Sequence, residues 1–248
     1  MEPVNGKKNG ASTMSDFAEP LAPPPAPSPP PEAIADLAEA CVRYVERAVG
    51  VKLDYQPETL SLLDHYVAQA RAGARAQPEI LSVLAQTCGA YLGEVVRRRY
   101  ASWWRLDGSD PAEWMIEFEA VYLAFSPVRL VLEAVLRVAP TESGGKEASP
   151  DEGGEGEEGT RDADDRDASQ VGDAGENEVA QLELEEEDHV AVAARLAELP
   201  PVSDEEFYAP STRLEVIDIA VEAIRARRMA AGEQVDVTLS PEDYDPRS

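Results

Sequence analysis

Histidine and cysteine are scarce in this sequence, with two of each among 248 residues. His65 and His189 lie far apart in the chain, and no CxxC, HxxxH or HExxH spacing accompanies them, so no zinc site is expected. Cys41 and Cys88 are too few for a disulfide framework. Both fall on apolar helical stripes and read as small buried hydrophobes. Long apolar runs are missing too. None approaches the ~18 residues that would suggest a bilayer span, and no apolar stretch follows Lys7 and Lys8 as it would in a signal peptide. Basic residues are outnumbered 49 to 22, for a net charge of −27. Phosphate backbones and anionic lipid surfaces attract Lys and Arg, so neither nucleic acid nor membrane is an expected partner, and the cytoplasm is the default location. The sequence also lacks a phosphate-binding loop, a dinucleotide glycine fingerprint and a G-x-S-x-G elbow. No cofactor, metal or catalytic residue is assigned.

What is present is unevenly spread. Residues 1–31 carry 2 basic and 3 acidic side chains and become proline-rich from Pro20 to Pro31, which reads as a disordered tail. Residues 32–139 hold 11 basic against 15 acidic side chains and are close to balanced. Residues 140–177 hold 3 against 13, with Val171 as the one large aliphatic residue. Such a run cannot bury enough apolar surface to offset an ordering cost of about 1–2 kcal/mol per residue, and it reads as an acidic disordered linker. Residues 178–232 read as a helical segment and 233–248 as a flexible tail.

Within 32–139 the apolar spacing alternates between helical and extended periods. Ile34, Leu37, Ala38, Cys41, Val42 and Val45 make an amphipathic stripe that Gly50 should end. Val51 to Leu53 is short and alternating, a candidate strand. A second helix follows Pro57 through Leu60, Leu63, Tyr66 and Val67, and a third runs from Pro78 to about Tyr100. Gly89 and Gly93 lie four apart on one face of that third helix. Each costs about 1 kcal/mol relative to alanine, so close contact with another element is expected. Trp103 to Leu106 and then Trp114, Ile116, Phe118, Ala120 and Tyr122 read as a hairpin whose second strand has one buried face. A continued helix over 113–125 is the alternative. Ser126-Pro127 caps and opens a last helix. The fold class expected is α+β: a small helix-rich domain with a short antiparallel sheet, then the acidic linker and a C-terminal helix pair.

Leu53-Asp54-Tyr55, Pro57-Glu58, Leu63-Asp64 and the run Gly89-Ala90-Tyr91-Leu92-Gly93-Glu94-Val95 with Arg97 and Arg98 resemble an uncharacterised family of small bacterial domains. The resemblance covers about residues 33–138. Some such domains sit among contact-dependent or immunity-like genes, and the resemblance implies a domain type but no reaction. A Gly-Gly turn expected before the tryptophan is replaced here by Arg99-Tyr100-Ala101-Ser102.

Glu94 beside Tyr91 and Arg97 is the constellation with the most chemistry in it. A carboxylate, a phenol and a guanidinium can orient a ligand or exchange protons. The same residues can equally form an ion pair one turn on, for about 0.2–0.5 kcal/mol. Trp103 and Trp104 fit a hairpin core or an aromatic protein-binding face. Beyond the linker, Val179 to Leu199 reads as a helix interrupted by Glu185 to Asp188. Pro210 then leads into a helix with Leu214, Ile217, Ala220, Val221 and Ile224 on one stripe. Two amphipathic helices rarely make a domain alone, so Leu214, Ile217 and Val221 should meet the first domain, a second copy or a partner. The function expected is a non-enzymatic interaction or adaptor protein, with an immunity or inhibitor protein as its narrower version. Its partner would be another protein, or itself, bound through the C-terminal helices. The alternative is an enzyme with a pocket around Glu94 and Tyr91. Deleting residues 141–176 is expected to leave 32–139 with a cooperative thermal transition, and loss of that transition would overturn the division.

Overall fold

The computed structural model describes residues 29–138, 181–234 and 237–245. The expectations for the tail before Pro29 and for the linker 140–177 fall outside these residues. The described chain is helix-rich α+β, with a four-stranded antiparallel sheet in the order β1-β2-β3-β4.

Helix α1 (Glu32–Val49) buries Ile34, Ala38, Cys41, Val42 and Val45, and Gly50 ends it in the left-handed conformation (φ 78°). Val51 to Leu53 is not a strand. The segment is irregular, because Leu53 is buried and anchors the turn into the 3-10 helix Pro57–Thr59. Helix α2 (Leu60–Ala76) follows, then α3 (Pro78–Arg99), which is buried on every side from Thr87 to Arg97. The sheet opens with β1 (Ser102–Arg105), β2 (Met115–Phe118) and β3 (Leu123–Phe125), and α4 (Pro127–Leu136) closes this half. Ser126 caps α4 by accepting the Arg129 N–H at 3.2 Å. At its other end, Arg75 of α2 donates to the carbonyls of Val135 (2.6 Å) and Leu136 (3.0 Å), satisfying acceptors the helix leaves orphaned.

Two of the expected strand features change. The run 114–122 breaks after Phe118 and turns back as β3. All four residues of β2 are buried, including Glu117, which the alternating pattern placed on an exposed face. The reason lies in the C-terminal residues. Residues 183–184 form β4 and pair with β3 (Leu123↔Leu184), while Leu239 and Tyr244 cover the outer sheet face. Tyr244 belongs to the stretch expected to fray, and it is buried.

The acidic run Glu185 to Asp188 does not interrupt a helix. It opens α5 (Glu186–Leu196), where carboxylates complement the positive helix end. A four-residue helix, α6 (Asp204–Phe207), leads to α7 (Pro210–Ala231), which Gly232 ends at φ 71°. The α7 stripe of Leu214, Ile217, Val221 and Ile224 joins one apolar core with α1–α4, the inner sheet face and α5. Each such side chain contributes about 1.5–3 kcal/mol on burial. Even a fully flexible connection across the 42 residues 139–180 costs only roughly 3 kcal/mol to close. Docking of the C-terminal layer therefore wins.

Polar contacts set its register. Arg99 donates to Asp218 through Nε and Nη2, both at 2.9 Å, and the Tyr100 hydroxyl bonds the same carboxylate. Asp64 of α2 accepts the Ser211 N–H (3.0 Å) and hydroxyl (2.5 Å), capping the first turn of α7 from a different element. Burial pushes the Asp64 carboxyl above its ordinary value, and the Ser211 bonds pull it partly back. A raised carboxyl binds more protons folded than unfolded, so its contribution to stability falls as pH rises from about 3.9 through the native value. Asp64→Asn, which keeps an acceptor for Ser211, is expected to remove that component of the pH dependence in urea unfolding measured from pH 3 to pH 7.

Candidate functional site

Helix α3 carries two glycines because two elements press into it. A Cβ on Gly89 would stand 2.6 Å from the Val128 Cα of α4, and one on Gly93 would stand 2.3 Å from the Trp104 ring. Closest approach thus falls where the sequence places no side chain. Through it the Trp104 indole N–H reaches the Glu94 Oε1 at 2.9 Å. Arg97 grips the same carboxylate with Nε at 2.7 Å and Nη2 at 2.8 Å, and Arg98 stands 4.0 Å away. Glu94 is 1% exposed and Arg97 6%. Both carboxylate oxygens are engaged, so Glu94 is a packing node rather than a group presented to solvent.

Tyr91 leaves the same helix in another direction. Its hydroxyl accepts the Tyr55 backbone N–H at 2.9 Å and shares a hydrogen bond with the Thr59 hydroxyl at 3.1 Å. Its ring stacks on Tyr55 with centroids 4.8 Å apart, and Arg98 lies 3.7 Å over the far side of Tyr55. Tyr55 has φ 64°, a left-handed conformation that costs a non-glycine residue of order 1 kcal/mol, and this clamp holds it there. Burial raises the Tyr91 phenol above its ordinary value. Tyr91 and Glu94 therefore diverge from α3 instead of converging on one site.

The two tryptophans are separated by the sheet itself. Trp104 faces the helices, while Trp103 lies on the outer face, donating to Glu117 Oε2 at 2.7 Å. Arg105 pairs with the other oxygen of Glu117 at 2.5 Å. Burial raises the Glu117 carboxyl, against the Trp103 hydrogen bond and the Arg105 charge. Leu214, Ile217 and Val221 are buried in the common core, so they are not open to a partner while α7 is docked.

The surface feature that sequence reasoning missed is a groove of about 360 Å³ between α1, α2 and α3, lined chiefly by Tyr44, Tyr66, Ala70, Glu79, Ile80 and Val83. Tyr44, Ile80 and Val83 are 38%, 44% and 49% exposed. Beside it, burial pushes the Tyr66 phenol up to about 12. The Cys41 and Cys88 thiols also lie close by, 3.9 Å apart at the α1–α3 contact, and Cys88's proximity together with burial pushes the Cys41 thiol well up. A smaller cavity of about 180 Å³ opens between α3, α4 and the Pro111 turn. Neither cavity is lined by Glu94, Tyr91 or Arg97. Ile80, Tyr66 and Val83 are apolar in the sequence, but a stripe does not say which of its members a neighbour covers. Among the described residues no cluster of three His, Cys, Asp or Glu side chains is arranged to hold a metal, and no helix is long and apolar enough to cross a membrane.

Residues 9–140 match a family of unknown function, DUF6278. The chain belongs to that family. No curated protein and no solved structure matches it. The DUF6278 segment contains the α3 node, β1 to β3 and the α1–α2–α3 groove, and it stops short of β4, α5 to α7 and Tyr244.

Glu94→Ala removes the carboxylate shared by Arg97 and Trp104 and is expected to cost about 3–5 kcal/mol in urea unfolding, the range for breaking a buried ion pair. Gly93→Ala is expected to cost about 1–3 kcal/mol by driving a methyl into the Trp104 ring.

Proposed function

We propose that the chain is a non-enzymatic interaction protein that binds a partner through the α1–α2–α3 groove. The observation that carries this reading is the contiguous exposure of Tyr44, Ile80 and Val83 around one apolar groove. Large apolar side chains exposed together, rather than scattered singly, mark interaction sites. A volume of about 360 Å³ takes one or two large side chains, the size of a hot-spot anchor. Glu79 is the charged residue lining the groove, so an apolar anchor flanked by Lys or Arg fits it. An immunity or inhibitor protein neutralising a basic target is the narrower version of this reading. The alternative, an enzyme built on Glu94 and Tyr91, finds less support, because that carboxylate is sealed and that phenol holds a turn.

A photo-crosslinking residue placed at Val83 of the full chain in its native host tests the proposal. Placed instead at Val190, 76% exposed on α5, it serves as the control. One dominant adduct with a basic protein is expected at 83 and absent at 190, and Ile80→Asp should abolish it. Identical adduct patterns at both positions, or none at 83, would sink the reading.

A further inference from the structure

The lining of the α1–α2–α3 groove selects among apolar ligands. Tyr44 and Tyr66 stand close enough for their phenols to influence each other, and Ile80 and Val83 complete the apolar lining. Neither hydroxyl bonds to another described residue, and burial, by pushing the Tyr66 phenol up to about 12, keeps its proton in place. The groove therefore offers two phenol donors, which suit a ligand rich in carbonyl acceptors and poor in N–H groups. A proline-rich run is such a ligand, because each proline keeps its carbonyl and has no N–H. With φ fixed in advance it also loses little conformational freedom on docking, and aromatic-lined grooves are the surfaces that take it.

The chain itself carries such a run. Pro20-Leu21-Ala22-Pro23-Pro24-Pro25-Ala26-Pro27 holds two proline-x-x-proline spacings and no charged residue, so Glu79 and the acidic balance of the chain do not oppose it. These residues lie outside the described ones, and what sets their reach is their point of attachment. The run joins α1 at Pro31, and Tyr44 lies 13 positions on, about 20 Å at 1.5 Å per residue. At 3.1 Å per residue, about seven residues of polyproline helix cover that distance. The eleven residues 20–30 therefore reach the groove with about four left for the reversal of direction. Tethering at this range holds the run at a local concentration of order mM. The family match points the same way. It starts at residue 9, so the run is matched together with α1 to α4, whereas the C-terminal layer that completes the core is not.

Resting on the reading of the groove as a docking surface, we infer that its resident occupant is the chain's own proline-rich run, residues 20–27, held in cis and in competition with a partner. An occupant whose local concentration equals its own dissociation constant halves the open groove and weakens a partner about twofold.

The purified full chain with a photo-crosslinking residue at Val83 tests this without any partner, its adducts mapped by peptide mass spectrometry. An intrachain adduct to residues 20–27 is expected, with a yield independent of protein concentration, and the control position Val190 should give none. A chain with Pro20→Ser, Pro23→Ser, Pro24→Ser, Pro25→Ser and Pro27→Ser together keeps its length but regains the N–H groups and the backbone freedom. It should lose the intrachain adduct and, in the native host, gain at least about twofold in the partner adduct at Val83. Absence of the intrachain adduct overturns the inference. So does an adduct that survives the serine substitutions, one equally strong from Val190, or one formed only between two copies. A partner adduct unchanged by the substitutions overturns the competition. Failure of the groove as a partner site looks different: neither chain captures a host protein at Val83, while the intrachain adduct stands.

Discussion

The buried carboxylate of Glu94 is the interaction around which the first half of the chain is arranged. Its charge is tolerable inside the protein only because Arg97 meets it in a bidentate pair and the Trp104 indole donates a third bond. That indole reaches Glu94 only because Gly93 has no side chain, so α3 and β1 are fixed at one distance. Gly89 fixes α4 on the same helix in the same way. Tyr91, one turn away, pins the Tyr55 turn that joins α1 to α2. One helix thereby positions a strand, a helix and a loop, and the residues with the most chemical potential are spent on doing so.

The C-terminal layer completes this arrangement rather than standing apart from it. It supplies the fourth strand and the helix that seals the core, and it covers the outer sheet face with Tyr244. Within that layer, buried Asp188 ties α5 to α7 through Arg227 and Arg228. The family match at 9–140 excludes the layer, although the core of this chain is shared across that boundary. In this chain the sheet edge at β3 and the pocket around the Tyr244 phenol lie within the matched segment, and sequence outside it fills both.

Local signals carried far in this sequence. The α1 stripe with Gly50, the Ser126-Pro127 cap and the extent of α3 each rest on contacts within a few residues, and each is found where its pattern places it. The pairing of Glu94 with Arg97 was legible for the same reason, being three residues apart on one helix. Its burial was not, since that depends on Trp104 arriving from the sheet. Glu117 shows the limit most clearly. Its alternation with Ile116 and Phe118 marks a solvent face by the local rule, yet a tyrosine 127 positions along the chain covers it.

By itself, then, the sequence determined the helices, their caps, the segmentation of charge and the need for a close approach at Gly89 and Gly93. These follow from periodicity, backbone conformational preference and residue size, all of which act over one or two turns. Tertiary structure alone decided that Tyr91 and Glu94 diverge and that Trp103 and Trp104 face opposite sides. It likewise decided that the α7 stripe is consumed internally and that Tyr44, Ile80 and Val83 stay exposed around one groove. Whether a side chain is covered depends on which distant element packs over it, and no local period encodes that.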